Sequence, residues 1–221
     1  MSSPRAVPVR PWRGTSAEQR VEERRQRLIA AGLEVIGNRG WANTTVRAVC
    51  QEAGLTARYF YEAFPDSQAL LLEVFERVRA ETVEAVVTAF AAAPDGWRAK
   101  AHAAISAAAA VLLDDPRKGR VLLIEAASDE RLQRRRQETT SANAELLAGI
   151  ARGYAGDVPY DPTDAQLTAI ALVGAETELI TAYLAGRLDI TRERLIDHIT
   201  ELHLAVPSIT SVPNLRGSLH S

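Results

Sequence analysis

The chain has 221 residues, of which 47% are apolar and 24% charged, the balance of a globular protein of one or two domains. A single cysteine, Cys50, excludes an internal disulfide framework, and no run of about 18 or more charge-free apolar residues is present to cross a membrane. The net charge of −2 conceals a gradient: residues 1–67 hold ten Lys/Arg against seven Asp/Glu and the rest hold sixteen against twenty-one, so a positive head precedes a negative body.

Residues 1–15, with three prolines and three arginines (Arg5, Arg10, Arg13) and no apolar period, are expected to form a disordered basic arm, the alternative being that its arginines enter a minor groove. They lack the apolar centre of a secretory signal, and with one cysteine this points to the cytoplasm. Ser16 and Gln19 have capping-box spacing and open a first helix whose stripe is Val21, Leu28, Ile29, Gly32, Leu33 and Ile36, with Gly40 as its stop. Thr44 or Thr45 caps a short second helix buried through Val46, Val49, Cys50 and Ala53. Gly54 supplies a left-handed turn and Thr56 caps a third helix. Asp66 or Ser67 opens a long fourth helix with an inward stripe of Leu71, Val74, Phe75, Val78, Thr82, Ala85, Val86 and Ala89, and an outer Glu73–Arg77 pair. Further helices are expected over 97–113, 117–127, 129–154, 162–187 and 191–205, and residues 207–221 form a flexible tail. No period-2 pattern is sustained, so the fold class is all-α, without a sheet.

The stretch "GLTARYFYEAF", residues 54–64, crowds four of the chain's few aromatics beside Arg58. One helix face cannot bury four such closely spaced side chains. Two short helices joined by a glycine turn and braced by a longer one make a helix-turn-helix, whose second helix enters the major groove. Phe60 and Phe64, at i, i+4, turn inward; Thr56, Ala57, Arg58 and Tyr59 face the DNA; Tyr61 lies on the flank, in reach of a phosphate. Arg58 can contact guanine O6 and N7 through two bonds, worth about 1–3 kcal/mol of discrimination. Thr45, Arg47 and the helix start at Ser67 offer bonds to phosphates, which set position and not sequence. Glu62 either accepts from a cytosine N4 or points to solvent.

The segment "TTVRAVCQEAGLTARYFYEAFPDSQALLLEVF" resembles the N-terminal pattern of the TetR family of transcriptional regulators. Thr45, Val49, Ala53, Gly54, Leu55, Thr56, Phe60, Tyr61, Phe64 and Leu70 match or conservatively replace that pattern over residues 45–70. Cys50 stands for the usual alanine, Ala63 for the usual histidine or tyrosine, and Ser67 for the usual phosphate-contacting lysine. The resemblance implies a helix-turn-helix domain over 16–66 and a helical ligand-binding and dimerisation body over 67–206. It also implies a repressor that binds a palindromic DNA operator as a homodimer and is released by a small-molecule effector.

The body offers three candidate ligand contacts: His102 in "AKAHAAIS", and Glu176 and Glu178 in an otherwise apolar helix. Each has a plainer reading, as a satisfied helix histidine or an interface carboxylate. For a dimer, Leu195, Ile199, Leu202 and Val206 repeat at four, three and four residues, and Ala171, Ala175, Glu178 and Ala182 form a stripe of mostly small residues. The arginine run 131–137 is expected on a solvated face, and Cys50 as a core thiol rather than a redox sensor. The histidines and Cys50 have no metal-ligand spacing, and neither a phosphate loop nor a nucleophile elbow is present, so no metal, cofactor or enzymatic activity is expected. A helical enzyme or carrier and a protein-binding adaptor remain the competing classes; neither predicts salt-dependent DNA binding.

Overall fold

A computed structural model describes residues 16–127, 129–154 and 161–210, with the side chains of 127, 150–154 and 206–210 outside that description. The basic arm 1–15, the tail from 211 onward and the Val206 side chain therefore lie outside the described residues. Among the described residues there are helices and no strand.

Helix α1 spans Ala17–Arg39 and begins with both halves of the capping box: Ser16 Oγ accepts from Gln19 N–H at 3.0 Å, and Gln19 Oε1 accepts from Ser16 N–H at 2.8 Å. Leu28, Ile29, Val35 and Ile36 are buried on one side, but Val21 is 49% exposed, because the first turns of α1 extend past the elements it packs on. After a single tight turn at Trp41–Asn43 comes α2, Val46–Ala53. Thr45 is its cap, accepting from Ala48 N–H at 3.1 Å; Thr44 instead donates its hydroxyl back to Gly40 O. Helix α3 spans Ala57–Ala63, and the Thr56 hydroxyl makes no capping bond. Helix α4, Ser67–Ala92, is capped by Asp66, which accepts from Ala69 N–H at 2.8 Å. Glu73 does not pair with Arg77; it reaches Arg25 on α1 at 2.8 Å, tying α4 to the head.

The body continues with α5, Trp97–Leu113, then α6, Pro116–Gly119. The single helix expected over 117–127 is broken: α6 passes into a widened turn at Arg120–Ile124 and a tight one at Glu125–Ala127. Wide turns of this sort are rare and local. Helices α7, Glu130–Tyr154, α8, Pro162–Leu184, and α9, Arg192–Thr210, complete the described residues. The arginine run 131–137 is not wholly solvated: Arg135 bridges Glu76 on α4 and Glu138, and Arg136 donates to Leu123 O at 3.4 Å.

Two hydrophobic clusters meet along α4. The first joins α1, α2, α3 and the start of α4, and Val121, Ala126 and Leu132 from the body are buried within it. The second holds Val78, Ile105, Leu112, Leu123 and Ile180 together with Leu195, Ile196 and Ile199 of α9. Leu195 and Ile199 are therefore not available as a dimer seam; each is 1% exposed inside its own chain. The four-three-four spacing identifies a buried face but not which helix covers it. Ala182 is likewise buried and Leu202 half-buried, whereas Ala171, Ala175 and Glu178 are exposed. Head and body are stapled where α1 meets α6: a Cβ on Gly37 would lie 2.4 Å from Arg117 Cβ, so only glycine admits this approach.

Candidate nucleic-acid interface and body cavity

The turn between α2 and α3 follows from local sequence. Gly54 has φ 60° and ψ 38°, a left-handed conformation that glycine adopts without a Cβ clash, and Leu55 N–H bonds back to Cys50 O at 2.9 Å. From α1, Arg27 donates to Ala53 O at 2.5 Å and so holds the end of α2. Cys50 is buried on the inner face, and burial pushes its thiol pKa up, which suits an inert core thiol.

Helix α3 is anchored by Phe60 and Phe64, both buried, with ring centroids 5.9 Å apart. The opposite face carries the exposed Thr56, Ala57, Arg58, Tyr59 and Tyr61, with Tyr61 59% exposed and packed edge-on against Phe60 at 5.4 Å. Thr45 and Arg47, at the start of α2, are exposed as well. The aromatic crowding thus divides as the sequence suggests, into two inward and two outward rings.

Three details add to the expectation. Glu62 points to solvent, with its side chain 42% exposed, and also accepts from Arg58 Nε at 2.9 Å. Tyr59 is half committed, because the Arg24 guanidinium of α1 sits 4.6 Å from its ring centroid. Arg24 had no signal in the sequence beyond its place in the charged run "EERRQR". At the start of α4, Ser67 is half-buried and Asp66 places a carboxylate on the helix end, which weakens that end as a phosphate seat.

The body holds a cavity of about 390 Å³ that is partly open to solvent past Val87 and Leu146. Its walls are Val86 and Phe90 of α4, Ala104 and Ile105 of α5, Leu146 and Leu147 of α7, and Val173 and Ile180 of α8. Thr82 and Val86 face this space rather than a solid core, which is why the later part of the α4 stripe is only half-buried. Of the three candidate ligand residues, Glu176 alone lines the cavity. Its carboxylate stands 3.5 Å from Nε2 of His203 on α9, a residue without any sequence signal, since a lone histidine in an apolar helix is usually structural. Trp97 Nε1–H donates to the His203 carbonyl at 3.2 Å. His102 is exposed and lies in an open surface groove near Asp197, at 3.7 Å, while Glu178 points outward and accepts from Arg187 at 2.8 Å. Both are displaced from the cavity by helical phase.

The cavity touches the segment that contacts the head. Leu122 and Leu123 contribute to its wall. Two residues on, buried Glu125 accepts from the Trp41 backbone N–H at 2.7 Å and from Arg120 Nε at 2.9 Å. Arg117 binds Asp115 and Glu34 of α1, and Lys118 binds Glu81 of α4 at 2.5 Å. Among the described residues no group of three His, Cys, Asp or Glu is placed to hold a metal ion. Helix α8 has the length and hydropathy to cross a membrane by composition alone, yet it carries Glu176 and Glu178 and packs on α7 and α9.

Residues 28–74 match the family model of bacterial regulatory proteins of the tetR family. No curated protein matches the chain. Among solved structures, the fold is similar to a TetR-like transcriptional regulator from Rhodococcus sp. RHA1, at TM-score 0.69 and 20% identity, covering 86% of this chain and 97% of that one. It is similar to the fatty acid degradation regulator FadR from Bacillus halodurans, at TM-score 0.69 and 17% identity, with 87% and 96% covered. It is also similar to the transcriptional regulator FadR from Bacillus subtilis in complex with stearoyl-CoA, at TM-score 0.68 and 18% identity, with 83% and 97% covered.

Proposed function

We propose that this chain, a transcriptional regulator of the TetR family by its helix-turn-helix segment and its fold, represses transcription as a homodimer on a palindromic operator and is released by a small apolar molecule in the body cavity. The observation that carries the DNA-binding part is the division of α3: Phe60 and Phe64 fix it to the head while Thr56, Ala57, Arg58, Tyr59 and Tyr61 stand outward from one rigid face. Arg58 reads a base edge; Thr45, Arg47, Tyr61 and Ser67 position the backbone.

In this reading residues 16–66 bind DNA and 67–206 bind effector and partner. The outer face of α8 supports the homodimer. Leu167, at 61% exposure, Ile170, Ala171, Gly174, Ala175 and Glu178 recur at helical spacing along it, a mostly apolar strip left exposed among the described residues. The apolar cavity supports an effector, and the stearoyl-CoA held by the Bacillus subtilis FadR supports one with an apolar chain. Filling it presses on Leu122 and Leu123, and Glu125 passes the displacement to Trp41 at the base of α2. The coupling required is that of ordinary allostery, about 1–3 kcal/mol. The protein acts in the cytoplasm, without membrane, cofactor or catalysis.

The test is a gel shift on the DNA flanking the protein's own gene, across a salt series. A specific, salt-sensitive complex is expected. Turnover of a body-cavity substrate with no such complex would instead favour an enzyme or carrier.

A further inference from the structure

The polar content of the cavity narrows what it takes. Thr82 and Thr177 line it, but their hydroxyls donate to Val78 O at 2.8 Å and Val173 O at 2.7 Å, one turn back on their own helices. Asn143 is exposed. Glu176 and His203 remain. His203 is 7% exposed, and its Nε2 is buried with no hydrogen-bond partner, a state that native proteins rarely tolerate without a ligand or water to satisfy it. This nitrogen stands 3.5 Å from Glu176 Oε2, on a different helix, and both residues line the same apolar space.

We propose that the occupant of this cavity is an uncharged apolar molecule bearing a hydroxyl, which seats between Glu176 and His203. The inference rests on the effector reading above. An ionised carboxylate only accepts, and its nearness favours the imidazole tautomer with hydrogen on Nε2. A hydroxyl oxygen between them donates its hydrogen to Glu176 and accepts the Nε2–H, so three polar groups are satisfied together. A carboxylate head brings like charge against Glu176 among apolar walls. An ammonium head sets its donors against the Nε2–H of His203, where a hydroxyl oxygen would accept, and an ester brings no hydrogen for Glu176. A volume of about 390 Å³ is in the range of small-molecule sites, roughly 300–1,000 Å³.

The probes are 1-decanol, decanoate, decylamine and methyl decanoate, titrated calorimetrically into the full chain. Decanol is expected to bind at least tenfold more tightly than each of the others. Glu176→Gln, which keeps an acceptor but removes the charge, should shrink the decanol–decanoate gap to less than threefold. His203→Phe should weaken decanol about tenfold; if that variant does not fold, the wild-type ranking stands as the deciding measurement. Decanoate or decylamine binding as tightly as decanol overturns the proposal, as does an unchanged gap in Glu176→Gln or no decanol binding up to its solubility. Gel shifts separate the two readings. An operator complex that survives saturating decanol, with the ranking intact, sinks effector release and leaves the ligand assignment standing. Release by decanol without the ranking does the reverse.

Discussion

Arg58→Ala separates recognition from stability more cleanly than any other single change in the head. The Arg58 side chain is 84% exposed and pairs with Glu62, itself partly exposed, one turn along α3. Exposed pairs of this kind contribute about 0–1 kcal/mol, so the variant should unfold in urea within that margin of the wild type. Its contribution to DNA binding is expected to be larger. A two-bond contact to guanine gives about 1–3 kcal/mol, and a dimer uses it twice, so specific affinity should fall by about 2–6 kcal/mol. At tenfold for every ~1.4 kcal/mol, even the lower figure exceeds a twentyfold loss. Non-specific binding should change little, since it depends on phosphate contacts made elsewhere. Binding-site selection on a random library gives the sharper measurement: the variant should lose preference at one position in each half-site and keep it at the others. Glu62→Ala, which frees the guanidinium from its tether, should blur the same position without erasing it. Selected sites identical to those of the wild type, or a stability loss above about 2 kcal/mol in Arg58→Ala, would refute the assignment.

Other consequences follow from burial and charge. Phe60→Ala empties a fully buried site under α3 and should cost about 3–5 kcal/mol in urea unfolding, with DNA binding lost alongside. Ile199→Glu should unfold the chain rather than merely split a dimer, because Ile199 lies in the chain's own core; Ala175→Glu should leave the circular dichroism melt of the protomer recognisable and yield a monomer on sedimentation. The Arg117 guanidinium beside Asp115 holds its carboxyl below the usual carboxylate range. A depressed folded pKa gives stability that is present above the unfolded value near 3.9 and is lost as pH falls through the folded one, so Asp115→Asn should flatten the acid limb of the stability–pH curve below about pH 4.

What the sequence discloses here tracks how local the cause is. Ser16 with Gln19, Thr45, Gly54 and Asp66 act within three or four residues, and the limits of α1 to α4 follow from them. The division of Phe60 and Phe64 from Arg58 and Tyr61 also needed nothing beyond helical phase. Phase fails where two candidates sit close together: Glu176 and Glu178 are roughly 200° apart around a helix, so one alone can face the cavity, and the apolar neighbours on both sides do not say which. It fails again for Leu195 and Ile199, whose covering helices, α5 and α8, end at Leu113 and Leu184, beyond the reach of any pattern within α9. His203 and Arg24 gain their meaning from residues on other helices, Glu176 and Tyr59, and no short-range pattern announces either.

The burial of Val121, Ala126 and Leu132 among the side chains of α1 to α4 bears on modularity. A cut after α3 or within α4 would strip these three fully buried or nearly buried groups from the reader of DNA and open a hole in the cluster that holds Leu28 and Phe75. A chimera that moves this specificity onto a foreign sensor therefore has to carry the stretch from Asp115 through Leu132 with it, or repack that floor. The same constraint acts on natural recombination: the seam along which this molecule can be exchanged runs through its interior, and not through the loop where the linear map would place it.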